Sequence, residues 1–81
     1  PQVLLRIGMI FRSVGKPNKA IEYFQRIIAI NPRSPQAHMG LLATYLDLHD
    51  TTSARRIIHD WLRMNPNDTS AMTILKELGG S

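Results

Sequence analysis

An all-α fold, a solenoid of short helix hairpins, is predicted by three observations on the 81-residue sequence. The stretch from Ala20 to Pro32, AIEYFQRIIAINP, returns 34 residues later as Ala54 to Pro66, ARRIIHDWLRMNP. Ala20 then corresponds to Ala54, Phe24 to Ile58, Ile27 to Trp61, and Asn31-Pro32 to Asn65-Pro66. Apolar residues recur at helical spacing along the whole chain. The segments between them are short and hold Pro, Gly, Asn and Asp, which stop helices and turn the backbone. A helical unit repeating at such a period buries its apolar face only against its neighbours, so the units stack.

The first helix is expected from Pro1 to Val14. Proline suits a first helical position, where its missing N–H would have no partner anyway. Val3, Leu4, Ile7, Ile10, Phe11 and Val14 fall on one broad face at ~100° per residue, and Gly15 follows as a left-handed C-cap. The second helix opens near Pro17 and runs to Ile30. Ala20, Ile21, Phe24, Ile27 and Ile28 share its apolar face; Lys19, Glu22, Gln25 and Arg26 share the other. Glu22 and Arg26 stand in the favoured order for an ion pair of ~0.2–0.5 kcal/mol. Pro32 restricts Asn31 and ends the helix.

Ser34 caps a third helix from Pro35 to about Leu48, and its opening Pro35-Gln36 repeats Pro1-Gln2 one period on. Asp50 caps a fourth helix that ends before Pro66. Asp68 caps a fifth, Thr69 to Leu78, which stops at Gly79-Gly80 and has Met72, Leu75 and Leu78 as its apolar side. Turns of a few residues make successive helices antiparallel.

This pattern resembles the tetratricopeptide repeat, a helix pair with a small residue in its second helix, a large one four positions on, and a closing proline. Ala20, Phe24 and Pro32 fill those places in the first unit, and Leu4, Ile7, Gly8 and Phe11 match the aromatic-Leu-Gly-Tyr series of its first helix, with Leu4 for the aromatic. The second unit keeps Leu41, Tyr45, Ala54 and Pro66 and departs at His38 and Leu42. The resemblance implies a right-handed tetratricopeptide-like solenoid of five antiparallel helices: repeat one over 1–34, repeat two over 35–68, a capping helix over 69–78, and a flexible tail over 79–81. Ala20 and Ala54 are expected at close helix contacts, and Leu42 is expected to spread the second helix pair.

Composition narrows the function. No cysteine is present, so no disulfide or thiolate metal site forms. With 43% hydrophobic residues the chain can build a core, yet no apolar run approaches the ~20 residues of a membrane span. The chain begins without Met and ends in Gly79-Gly80-Ser81; it is expected to be a scaffold part of a longer protein. There is no Gly-rich phosphate loop. His38, His49 and His59 lack the spacing of metal ligands: His38 falls on a packing face, His49 in a turn, His59 on a polar face. Ser34 and Asp68 sit where helices need N-caps. No catalysis, cofactor or metal is expected. The formal charge of +4 permits acidic partners. However, the cations are scattered, acidic residues interrupt them, and Phe11, Phe24, Tyr45 and Trp61 fall at packing positions rather than on a stacking platform. A nucleic-acid-binding basic surface therefore ranks last among the functions considered.

The informative feature is a second stripe on the odd-numbered helices. On the first helix, Gln2, Leu5, Met9 and Arg12 lie ~140° from the centre of the core face, so Leu5 and Met9 point away from the unit's own core. The third helix repeats the stripe with Gln36, Met39, Ala43 and Leu46, and the fifth with Ser70, Thr73 and Glu77. The family resemblance implies that this stripe lines a concave groove. The lysine and asparagine places used by carboxylate-clamping members hold Leu5, Met9 and Gly40 here, so a chaperone-tail clamp is absent. Flexible Met suits an adaptable apolar surface. The expected function is therefore non-catalytic: a protein-interaction module binding a peptide or helical segment with apolar anchors. Self-association as a homodimer is the alternative.

Overall fold

The structure, a computed structural model, describes residues 2–79. It has five helices: α1 (Gln2–Ser13), α2 (Pro17–Ile30), α3 (Pro35–Asp47), α4 (Thr51–Met64) and α5 (Thr69–Glu77). The expected helix start at Pro1 and the tail residues Gly80 and Ser81 lie outside the described residues. Val14, Leu48 and Leu78, expected as last helical residues, fall in the turns that follow.

The predicted stops and starts act as expected. Gly15 is left-handed, with φ 76°, and the N–H of Lys16 reaches back to the carbonyl of Phe11 at 2.8 Å. His49 takes the same role one period later at φ 57°, with Asp50 N–H on the Tyr45 carbonyl at 2.9 Å. The Ser34 hydroxyl accepts from Ala37 N–H at 3.2 Å, and Asp50 and Asp68 accept from Ser53 and Ala71 N–H, each at 3.1 Å. Asp68 does more than cap: its other oxygen takes the indole N–H of Trp61 at 2.8 Å. That bond ties the end of α4 to the start of α5 and satisfies the polar edge of a half-buried ring.

Each helix packs on the next, and α1 also lies beside α3. Two apolar clusters hold the stack. Ala20, Phe24 and Ile27 of α2 meet Ala37 and Leu41 of α3; one period on, Ala54 and Ile58 of α4 meet Ala71 and Leu75 of α5. Ala20 and Ala54 are fully buried, because a methyl side chain lets a neighbouring backbone come close. Leu42 belongs to the second cluster, and α3 and α4 lie less closely together than α1 and α2.

Four expectations need correction. Val3, Ile10 and Val14 are exposed, so the core face of α1 is narrower than its apolar face; α2 covers one side of α1 only. Leu5 packs against the first cluster rather than pointing wholly away from it, because α3 draws in beside α1. Met72 stays exposed on α5, where Ala71 and Leu75 are the buried residues. The Glu22–Arg26 ion pair is not among those formed by the described residues. Arg26 instead lies 4.9 Å over the Tyr23 ring, which itself stacks on Phe11 at 5.5 Å. A cation on an aromatic face, at ~0.5–1 kcal/mol, outweighs an exposed pair of ~0.2–0.5.

Candidate functional site

A groove runs between α1 and α3, with α2 beneath it. It encloses about 330 Å³. Leu5 and Met9 project from α1, and Gln36, Met39 and Ala43 from α3. The floor is the ring of Phe24, which reaches up from α2 between Gly8 of α1 and Gly40 of α3. A β-carbon at Gly8 would lie 2.8 Å from that ring and one at Gly40 only 2.7 Å from it. Both distances are shorter than van der Waals contact, so the absence of a side chain at each glycine is what lets the ring sit there. Met9 and Met39 stay 55% and 48% exposed, facing solvent across the cavity.

Arg12 and Ser13 complete the groove toward the C-terminal ends of the two helices. There Arg12 spans to α3 and grips Asp47 in a two-pronged pair, Nε to Oδ2 at 2.6 Å and Nη2 to Oδ1 at 3.3 Å. The hydrogen bond from Arg12 holds the Asp47 carboxyl below the usual carboxylate range, and the nearby charges of Arg12 and His49 add to this. Asp50 and Asp68 are held below that range as well, chiefly by the Ser53 hydroxyl and by the Trp61 indole respectively.

A pH dependence follows. A carboxyl whose folded pKa is depressed stabilises fully above its unfolded pKa of ~3.9 and loses that contribution as pH falls through the folded value. The melting temperature should hold from neutral pH to about pH 5 and drop below about pH 4. Asp68→Asn should melt earlier at pH 7 and show a smaller acid-induced drop, by circular dichroism. An acid drop in Asp68→Asn as large as in the parent would show that the Asp68 carboxylate does not supply it.

The expected stripe divides in the structure. Leu5, Met9, Arg12, Gln36, Met39 and Ala43 come together around the main cavity. Gln2 lines a smaller hollow of about 170 Å³ beside it, shared with Gln36 and Asn31. Leu46 is exposed outside both cavities, and so are Ser70, Thr73 and Glu77 of α5, which does not approach α3 closely. Phe24, Gly40 and Asp47 were missed from the sequence. Gly40 had a usable signal, since a mid-helix glycine costs about 1 kcal/mol and calls for a packing reason. It lies 32 residues from Gly8 rather than 34, so the repeat register hides it.

The three histidines stand apart. His38 is buried, with Nδ1 2.7 Å from the Ser34 carbonyl and its ring 5.3 Å from Trp61. His49 sits in the α3–α4 turn, and His59 is exposed on α4. Among the described residues, no three His, Asp or Glu side chains gather as metal ligands. No helix among them is long and apolar enough to cross a membrane.

Stacked helix hairpins with an open apolar groove on one side define a helical-repeat protein. The chain belongs to the tetratricopeptide-repeat family, whose pattern matches residues 12–78. It is accordingly a protein–protein interaction module of the general kind that this family supplies. No curated protein matches it.

Proposed function

We propose that the groove between α1 and α3 takes up a segment of a partner protein through an apolar side chain seated over Phe24, between Met9 and Met39. The cavity itself carries the proposal: it is apolar, sits at the small end of the ~300–1,000 Å³ range of binding pockets, and suits one or two side chains. Its methionines can repack around differing anchors. Arg12 and Asp47 mark its polar end, where their remaining hydrogen-bonding capacity can meet a bound backbone. The domain divides at Ser34 and Asp68, so the groove lies between equivalent helices of successive units. In this role the chain is a non-catalytic scaffold element.

Met39→Glu tests the groove. A substitution at an exposed position should change stability by no more than about 0.5 kcal/mol. Peptides selected against the parent protein from a displayed random library should bind Met39→Glu at least about tenfold more weakly, a ~1.4 kcal/mol loss. Gln25→Glu, on the solvent face of α2, should bind them as the parent does. Equal binding by all three proteins would place the contact elsewhere. If Met39→Glu instead converts a parent dimer into a folded monomer, self-association takes the groove's role.

A further inference from the structure

The smaller hollow beside the groove differs from it in chemistry. It encloses about 170 Å³ and is lined by Gln2, Leu5, Ile27, Asn31, Ser34 and Gln36. Leu5 and Gln36 also line the main cavity, so the two adjoin. The hollow's polar side chains are three amides and a hydroxyl, and none of its side chains is charged. Asn31 Oδ1 accepts from the N–H of Arg33 at 3.3 Å, and Ser34 Oγ accepts from the N–H of Ala37 at 3.2 Å. Among the described residues, the Ser34 O–H, Asn31 Nδ2 and the amides of Gln2 and Gln36 have no further partner. The internal repeat supplies a comparison. One period on, Trp61, Asn65 and Asp68 stand in the places of Ile27, Asn31 and Ser34. There the Trp61 indole N–H donates to Asp68 at 2.8 Å, and Asn65 Nδ2 donates to the Trp61 carbonyl at 3.3 Å. Those groups satisfy one another, whereas the first unit leaves its own free beside a cavity.

We infer that the hollow is a subsite for a neutral carboxamide, the side chain of an asparagine or glutamine near the apolar anchor of the bound segment; this rests on the reading of the groove as a peptide site. Hydrogen-bonding capacity selects the group. The amides of Gln2, Gln36 and Asn31 each carry donors and an acceptor, and so does a carboxamide, so the bonds it gives up to water are replaced in kind. A carboxylate only accepts and an ammonium only donates, and either would shed its hydration in a hollow that holds no counter-charge. The spacing suits a single segment. Gln36 at the hollow and Gly40 at the main cavity stand one turn apart on α3, about 6 Å at ~1.5 Å per residue. Two residues of an extended chain span ~6.6 Å, and one turn of a helical ligand ~5.4 Å. The two cavities together therefore read an apolar residue with Asn or Gln at a fixed separation from it.

Peptides selected from a displayed random library against the 81-residue chain should carry Asn or Gln at a constant spacing from an apolar residue. Resynthesised with that amide changed to the matching acid, or to alanine, they should bind the parent roughly tenfold more weakly, the effect of one or two lost hydrogen bonds. Gln2→Ala and Asn31→Ala, both at exposed positions, should stay folded by circular dichroism and bind the amide and alanine peptides alike. Met39→Glu should weaken both peptides together. The inference is overturned if no Asn or Gln emerges at a constant spacing, or if both alanine variants keep the parent's preference for the amide peptide. It is equally overturned if the acid peptide binds as tightly as the amide, which would make the hollow an anion site. In each of those cases a loss of binding in Met39→Glu leaves the groove reading standing. Binding that Met39→Glu leaves unchanged removes the groove reading and this inference with it.

Discussion

Phe24→Ala is expected to lower the unfolding free energy by about 3–5 kcal/mol, the range for removing a buried aromatic ring. The side chain is 0% exposed, and its ring touches helices on both sides as well as packing within α2's own cluster. At ~0.05–0.15 kcal/mol per residue, a chain of this size has roughly 4–12 kcal/mol in total. The variant should therefore lose a large share of its stability, read as a lower urea midpoint at an unchanged m-value. Phe24→Leu, which keeps most of the volume, should cost clearly less. Both would also lower the floor of the groove, so any peptide seated there should bind more weakly even where the protein stays folded. A loss under 1 kcal/mol for Phe24→Ala would mean that the ring does not join the three helices.

The second large effect concerns the glycines on either side of that ring. Alanine in place of a mid-helix glycine normally gains about 1 kcal/mol from propensity. At Gly8 and at Gly40 that gain meets an overpacking cost of about 1–3 kcal/mol, because each new methyl would press on Phe24. A single substitution, Gly8→Ala or Gly40→Ala, lets the ring lean toward the remaining glycine. The double substitution removes that escape. Its destabilisation should exceed the sum of the singles by about 0.5–3 kcal/mol, the range for residues coupled through a shared contact. A double-mutant cycle in urea measures the excess directly. Additive values would show that the two glycines do not confine the same ring.

The second unit fills the equivalent space differently. Leu42 and Ile74 stand where Gly8 and Gly40 stand, and Ile58 replaces Phe24. The volume comes from the flanking helices instead of from the middle one, and Leu42, Ile58 and Ile74 share the second cluster. Family pattern alone marks Leu42 as a departure. Beside Ile58 it is a compensation, a large residue for glycine and a smaller one for phenylalanine.

The sequence by itself determined the number of helices, their order and nearly all of their ends. Those signals are local: a proline at a first turn, a Ser or Asp cap bonding three residues ahead, a glycine in the left-handed region. Each acts within about one helical turn, so each can be read without knowing what the helix meets. The period itself revealed the stacking, because Ala20, Ala54, Pro32 and Pro66 recur in register. Tertiary structure decided the rest. It showed that Leu5 belongs partly to the core, that Val3 and Ile10 are left bare, that Arg26 turns to Tyr23, and that Arg12 reaches Asp47 across 35 positions of sequence. The physical reason is common to all four. A helical pattern gives the direction of a side chain around its own axis, but which neighbour lies in that direction, and how closely, depends on how far the adjoining helices approach. Here that approach was set by two glycines out of register with the repeat and by the one aromatic ring that fills the space between them.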